Sequence, residues 1–98
     1  MEVVKNIKKD QVAFYIGTAL MCKKCEINLE KVNIIKKYFN FVCFYKMNAD
    51  EVSEIINTYR ITNAPFFIIS VNGIVKEVFY SIDDLNLLTQ KLLLYKGE

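Results

Sequence analysis

Two cysteines, Cys22 and Cys25, lie in the segment LMCKKCEINLEKV, where a short apolar run gives way to helical spacing. The preceding segment, QVAFYIG, is typical of a buried strand of about six residues. After it, apolar residues recur three or four positions apart, at Cys25, Leu29, Val32, Ile35 and Phe39. The spacing predicts a helix with Cys25 on its buried stripe and Cys22 in its first turn, where backbone N–H groups lack helical partners.

The other segments also alternate between strand and helix patterns. VVKNIKK predicts a short amphipathic helical turn, FVCFYKM a strand, and EVSEIINTYR a helix that begins after NAD. APFFIISV and IVKEVFY predict a hairpin, because Asn72-Gly73 between them supplies the positive φ of a tight two-residue turn. Ser81 and Asp84, in a capping-box-like spacing, precede a last helix with an apolar stripe at Leu85, Leu88, Leu92 and Tyr95.

This order predicts an α/β fold in which a four-stranded mixed sheet is flanked by helices on both faces. The 98 residues are about one domain's worth, so we expect a single domain over residues 1–98. A hydrophobic fraction of 53% with 24% charged residues is typical of a chain that buries a core.

The composition also limits the classes of partner and the cellular location that we expect. No apolar run approaches the ~20 residues that cross a bilayer, and the N-terminal segment lacks a cleavable apolar core, so we expect a cytoplasmic protein with no membrane partner. The net charge is +2, and the lysines are scattered among acidic residues. That pattern argues against a nucleic-acid partner.

The chain contains no histidine, which excludes Ser/His/Asp and Cys/His catalysis and any histidine-ligated metal. Any catalytic chemistry must therefore depend on cysteine, lysine, carboxylates or tyrosine. Three cysteines without a secretion signal argue against a disulfide scaffold and favour a redox pair. Inert buried thiols, or half of a zinc site completed by Cys43 and a carboxylate or a second chain, remain alternatives. Cys43 lies mid-strand in FVCFY, so we expect a packed core thiol there, and we expect no cofactor or metal.

A strand leading into C-x-x-C, then YKMNAD, then YRITNAP before a hairpin with NG, resembles the thioredoxin family over roughly residues 10 to 95. The resemblance implies a thioredoxin-like fold. It also implies that Cys22 is the exposed nucleophile, Cys25 the buried resolving thiol and Pro65 a cis-proline against the pair. Lys46 matches a buried lysine near the resolving cysteine.

The implied activity is that of a thiol–disulfide oxidoreductase acting on protein disulfides, with a thioredoxin-reductase-like electron donor. Met21 and Ala64 would then flank the reactive sulfur, where an extended substrate could pair with the Ala64 backbone. A second hypothesis is a thioredoxin-like adaptor or redox-sensing module whose thiols titrate without general turnover.

Four features of the sequence differ from the family pattern. Met21 stands in place of tryptophan, Lys23-Lys24 in place of Gly-Pro, and Ile16 in place of a buried aspartate, while the glycine expected after the last strand is absent near Tyr80. We expect the lysines to oppose the helix dipole but to favour a thiolate at Cys22, which makes the disulfide more oxidising. Because Ile16 cannot accept a proton from Cys25, we expect slow resolution.

Overall fold

A five-stranded mixed sheet forms the centre of the fold in the computed structural model, which describes residues 1–97. Its strands are β1 (Glu2–Val3), β2 (Val12–Thr18), β3 (Cys43–Asn48), β4 (Phe66–Val71) and β5 (Ile74–Phe79). The helices described are α1 (Lys23–Ile35), α2 (Ser53–Thr58) and α3 (Leu85–Lys96), with short 3₁₀ turns at Lys36–Tyr38 and Ala49–Glu51.

The strand order is β1-β3-β2-β4-β5. β1, β3 and β2 run parallel, whereas β4 runs antiparallel to β2 and β5 antiparallel to β4. The parallel neighbours β2 and β3 are connected through α1, as the alternation of patterns predicts. The α/β fold with helices on both faces is confirmed, and the sheet has one strand more than predicted.

β2 is the central strand, and all seven of its residues are buried. Successive side chains point to opposite faces, so Phe14 and Ile16 join one core and Ala13 and Tyr15 the other. The first core contains Val32 and Ile35 from α1 and Leu88 and Leu92 from α3. The second contains Val52, just before α2, with Val4, Met47, Phe66 and Ile68. Burial on both faces explains why β2 reads as a continuous apolar run.

The helical turn predicted for residues 3–9 is wrong, because this segment begins with β1. Glu2 and Val3 pair with Tyr45 and Lys46 of β3, and the N–H of Val4 donates to the Lys46 carbonyl at 2.9 Å. An edge strand offers unpaired backbone groups, and two consecutive valines suit an extended chain better than a helix. Val4 is buried at this edge, which fixes the register.

The hairpin prediction is confirmed. Val71 pairs with Ile74, and Asn72 and Gly73 have φ values of 51° and 85°. A two-residue turn with positive φ at both positions matches the twist of the strands that it connects.

The start of α3 differs in detail from the capping prediction. Asp84 itself is the N-cap, and its carboxylate accepts a hydrogen bond from the N–H of Leu87 at 3.0 Å. Ser81 instead accepts from the N–H of Asp83 within the preceding turn. Of the predicted stripe, Leu88 and Leu92 are buried, whereas Leu85 lies largely in solvent because it is the first residue of the helix.

Candidate active site

The two cysteines of the C-x-x-C segment form a disulfide at the start of α1, with Cα atoms 5.2 Å apart. Cys22 is the N-cap residue of the helix, with an extended backbone at φ −110°. Its sulfur accepts a hydrogen bond from the N–H of Cys25 at 3.1 Å. After reduction, the same N–H and the positive end of the helix dipole would stabilise a thiolate on Cys22.

The two sulfur-bearing residues differ in access to solvent. Cys25 is 2% exposed and lies on the buried stripe of α1, whereas Cys22 is partly exposed. Leu20 and Met21, just before Cys22, project into solvent, and Met21 adopts a left-handed backbone at φ 55°. An accessible sulfur next to a buried one is the arrangement that internal resolution of a mixed disulfide requires.

Lys23 and Lys24 form the first turn of α1, and both are exposed. The first turn also contains Glu26, but the last turn of the helix has no basic residue. Both lysine charges therefore lie at the helix end that repels cations, where they favour an anion on Cys22.

The Ala64–Pro65 peptide bond is cis, and Pro65 is buried immediately before β4. Ala64 and Pro65 border a groove of about 520 Å³ that also reaches the first turns of α1. We call this space the polar groove; it is lined by Lys24, Asn28, Thr62, Asn63, Ala64, Pro65, Tyr80, Ser81 and Asp83. The structure thus brings together three residues selected from the sequence: Lys24, Ala64 and Pro65.

Most of the groove residues were missed from the sequence. The phenol oxygen of Tyr80 accepts a hydrogen bond from the N–H of Thr62 at 3.2 Å, which ties the loop after β5 to the loop before Pro65. Asn28 donates from its side-chain amide to the Lys24 carbonyl at 2.8 Å. These residues lie in loops or on an exposed helix face, where no periodic pattern marks them. The one sequence signal that pointed to this region was the absence of the expected glycine near Tyr80.

Lys46 lies on β3, partly buried, directly opposite Ile16 of β2. Ile16 is fully buried and belongs to the core that α1 and α3 cover. The strand position at which the sequence resemblance implies a buried aspartate is therefore filled by hydrocarbon, and Lys46 makes no salt bridge with any residue of the range 1–97.

The prediction that Cys43 is a packed core thiol is wrong: the side chain is exposed. β1 pairs only with residues 45 and 46, so the outer side of β3 is uncovered at Cys43. Partial burial raises the pKa of this thiol, and the neighbouring Asp10 carboxylate raises it further. Asp10 also accepts a hydrogen bond from the Tyr45 hydroxyl at 2.6 Å. Within residues 1–97, no three Cys, Asp or Glu side chains are grouped to hold a metal ion.

Comparison with solved structures identifies the architecture. Thioredoxin from Plasmodium falciparum superposes with a TM-score of 0.79 at 22% identity, covering 97% of this chain and 99% of that one. Thioredoxin from Trypanosoma brucei brucei gives 0.78 at 25% identity, covering 98% and 90%. The chain has the thioredoxin fold. No family model matches the sequence, and no curated protein does.

Within the thioredoxin fold, the Cys22–Cys25 disulfide occupies the junction between β2 and α1 and is a C-x-x-C pair. A thioredoxin from Fasciola hepatica has the same architecture, with a TM-score of 0.79 at 20% identity over 97% of this chain and 99% of that one. At such identities the likeness establishes the fold, so the activity has to be argued from the site itself. No helix in residues 1–97 has the length and apolar character needed to span a membrane.

Proposed function

We propose that the chain is a thiol–disulfide oxidoreductase that acts on protein disulfides. The observation that carries this proposal is the pairing of a solvent-accessible Cys22, at the N-cap of α1, with a buried Cys25 one helical turn further on. A C-x-x-C pair at a helix N-terminus is where a cysteine pKa is lowered and a thiolate becomes reactive.

The reaction proceeds in two exchanges. The Cys22 thiolate attacks one sulfur of a substrate disulfide, forming a mixed disulfide and releasing the other substrate sulfur as a thiolate. Cys25, once deprotonated, attacks the Cys22 sulfur, which forms the Cys22–Cys25 disulfide and releases the second substrate thiolate. Two electrons pass from the dithiol to the substrate, so a reductant must restore the dithiol after each cycle. Ala64, beside Pro65, offers backbone groups for an extended substrate.

The test is the reduction of insulin disulfides with dithiothreitol as the regenerating reductant. We expect the wild type to accelerate it, Cys22→Ser to abolish the acceleration, and Cys25→Ser to accumulate a mixed disulfide on Cys22. Cys43→Ser is the matched control, since Cys43 lies at the opposite end of β3 from the Cys22 side of the sheet, and it should retain full activity. Equal rates for wild type and Cys22→Ser would refute the proposal.

The second candidate is an adaptor or redox-sensing module without general turnover, and the observation that favours it is the buried Ile16. With no carboxylate at that position, β2 offers no group that could accept the proton of Cys25. If this candidate is correct, the wild type will form a mixed disulfide with insulin but will not turn over.

Two further elements belong to the proposal. A reductase related to those that serve thioredoxins is the proposed electron donor, and the cytoplasm, where thiols are kept reduced, is the proposed location. Incubation with NADPH and a purified thioredoxin reductase tests the donor directly: NADPH oxidation that depends on Cys22 supports it.

Lys23 and Lys24 are proposed to make the disulfide more oxidising, because a stabilised Cys22 thiolate stabilises the reduced form. An exposed charge near 4 Å contributes about 1 kcal/mol in water, and about 1.4 kcal/mol corresponds to about 30 mV, so each lysine should contribute about 20 mV or less. We expect the Lys23→Gln/Lys24→Gln double variant to have a more negative potential than wild type. Lys36→Gln/Lys37→Gln, beyond the other end of α1, is the matched control; an unchanged or less negative potential in the first variant would contradict the idea.

A further inference from the structure

The polar groove lies beside the candidate redox centre, and one positive charge is in excess when the lysine that pairs with its carboxylate is counted. Among residues 1–97, the charged side chains that line the groove are Lys24 and Asp83. The Asp83 carboxylate is already engaged, because Lys31 of α1 forms a salt bridge with it at 3.2 Å. Lys31, the Ser81 hydroxyl and the nearby charge of Lys24 all keep the pKa of Asp83 low. The negative charge of Asp83 is therefore balanced at close range by Lys31, whereas Lys24 acts on it only at longer range and keeps its own positive charge available to a ligand.

Lys24 has no acidic partner on its own helix. The residues three and four positions further on, which face it across one turn, are Ile27 and Asn28. No carboxylate in residues 1–97 lies within salt-bridge distance of its ammonium group. Lys23, the preceding residue, adds a second exposed positive charge to the same turn.

The opposite wall of the groove is polar and is held in place. Thr62 and Asn63 expose their side chains just before the cis Ala64–Pro65 bond. Tyr80 fixes this loop by accepting the hydrogen bond from the Thr62 N–H. The apolar residues near Cys22, Leu20 and Met21, do not line the groove. A substrate segment that lies here therefore meets hydrogen-bonding groups, the Asp83 carboxylate already paired with Lys31, and the Lys24 ammonium group, which has no salt-bridge partner in residues 1–97.

We propose that the polar groove selects disulfides whose cysteine is flanked by Asp or Glu, with Lys24 as the specificity-determining residue. This inference rests on the proposed oxidoreductase function and names its substrate class. An acidic side chain within a residue or two of the attacked cysteine would reach Lys24, which lies in the first turn of α1, two residues after the attacking Cys22. Basic flanking residues would be disfavoured by the same charge.

The test uses disulfide-linked dimers of a capped pentapeptide, Ala-Xaa-Cys-Xaa-Ala, with Glu, Gln or Lys at Xaa. Rates of reduction by the reduced protein are divided by rates with dithiothreitol alone, which removes the effect of Xaa on the peptide's own thiol. We expect a Glu-to-Gln rate ratio of about three- to fivefold at low salt, the size that one exposed charge pair near 4 Å supports. The ratio should fall toward one at 1 M salt, where the screening length drops to about 3 Å.

Two variants move the ratio in opposite directions. Lys24→Gln should bring the Glu-to-Gln rate ratio close to one, because Lys23 does not line the groove. Comparing two peptides on one variant cancels any change in Cys22 reactivity. Asp83→Asn should raise the ratio, because Lys31 then loses its carboxylate partner. Lys37→Gln, at the far end of α1, should leave it unchanged.

The outcomes separate the two proposals. If all three peptides are reduced with ratios equal to those of dithiothreitol alone, the inference is wrong and the oxidoreductase function stands. If neither insulin nor any peptide is reduced, both are wrong. A Glu preference that survives Lys24→Gln would also overturn the inference, since another group would then be responsible.

Discussion

Replacing Ile16 with Asp tests how strongly the apolar surroundings at the centre of β2 disfavour a charged carboxylate. Ile16 is 0% exposed, and its neighbours across the sheet are Lys46 on β3 and Phe67 on β4. Removing a fully buried isoleucine forfeits about 1.5–3 kcal/mol of apolar burial. A carboxyl group in its place is also desolvated, which raises its pKa and disfavours its charged form.

The cost therefore depends on pH, and its sign follows from proton binding. The buried carboxyl holds its proton more tightly than the same group in the unfolded chain, whose pKa is about 3.9. Stability falls as pH rises from that value to the raised pKa of the folded state, and it is constant above. Each unit of raised pKa costs about 1.4 kcal/mol at pH 7. We expect Ile16→Asp to lose about 3–5 kcal/mol at pH 7 and less at pH 4.

Urea denaturation of the oxidised protein between pH 4 and pH 8 measures this, because the disulfide keeps Cys22 and Cys25 from titrating. Ile16→Asn is the matched control, since it has nearly the same shape and no proton to lose, and its cost should be independent of pH. Adding Lys46→Met should increase the cost of Ile16→Asp at pH 7 if Lys46 stabilises the new carboxylate. Identical pH profiles for Ile16→Asp and Ile16→Asn would refute the reasoning.

Substitutions at Gly17, Asp84 and Asp10 test three further features of the structure. Gly17→Ala should lower the free energy of unfolding in urea by about 3 kcal/mol, because a Cβ there would overlap the Phe66 ring. Adding Phe66→Leu should restore part of that stability. A Gly17→Ala variant as stable as the wild type would contradict this. Asp84→Ala should lower stability by about 0.5–2 kcal/mol, and Ser81→Ala should lower it by less. A larger loss for Ser81→Ala than for Asp84→Ala would argue against Asp84 as the N-cap. Asp10→Asn should lower the pKa of Cys43 and so speed its alkylation by iodoacetamide at pH 8. Because the Tyr45 hydroxyl lowers the pKa of Asp10, the stability that Asp10 adds should be present above about pH 4 and lost at lower pH; a pH-independent difference from Asp10→Asn would count against this.

The parts of the fold that were predictable from the sequence depend on local patterns. The stripe of α1 is set by spacing along one helix, and the turn at Asn72-Gly73 by the φ values of two residues. In both cases the structure follows from residues that are neighbours in the sequence, so it can be predicted without knowing which distant segments are in contact. The same holds for the central strand, whose seven buried residues reveal that both faces are covered.

The parts that were not predictable depend on pairing between distant segments. β1 exists because β3 offers an edge, and Cys43 is exposed because β1 is too short to cover the start of β3. The paired valines of VVKNIKK suit an extended chain, but nothing within VVKNIKK or FVCFY identifies the partner strand or how far the pairing extends. The polar groove is a similar case, because it forms where α1 meets two loops that are some 20 residues apart in the chain.

In the proposed reaction, Ile16 and Lys24 would act on the same intermediate, the mixed disulfide on Cys22, but in different ways. The intermediate goes forward when Cys25 attacks, and back when the released substrate thiol attacks. We expect an isoleucine in place of an acid to slow the forward step for every substrate, because no carboxylate on β2 would accept the proton of Cys25. A charge in the groove instead changes how strongly one class of substrate is held. A slow forward step would prolong the intermediate. A modest difference in binding would then have a larger effect on whether each disulfide is reduced or re-forms. A weak resolving step and a charged groove would together make a narrower oxidoreductase than either would alone.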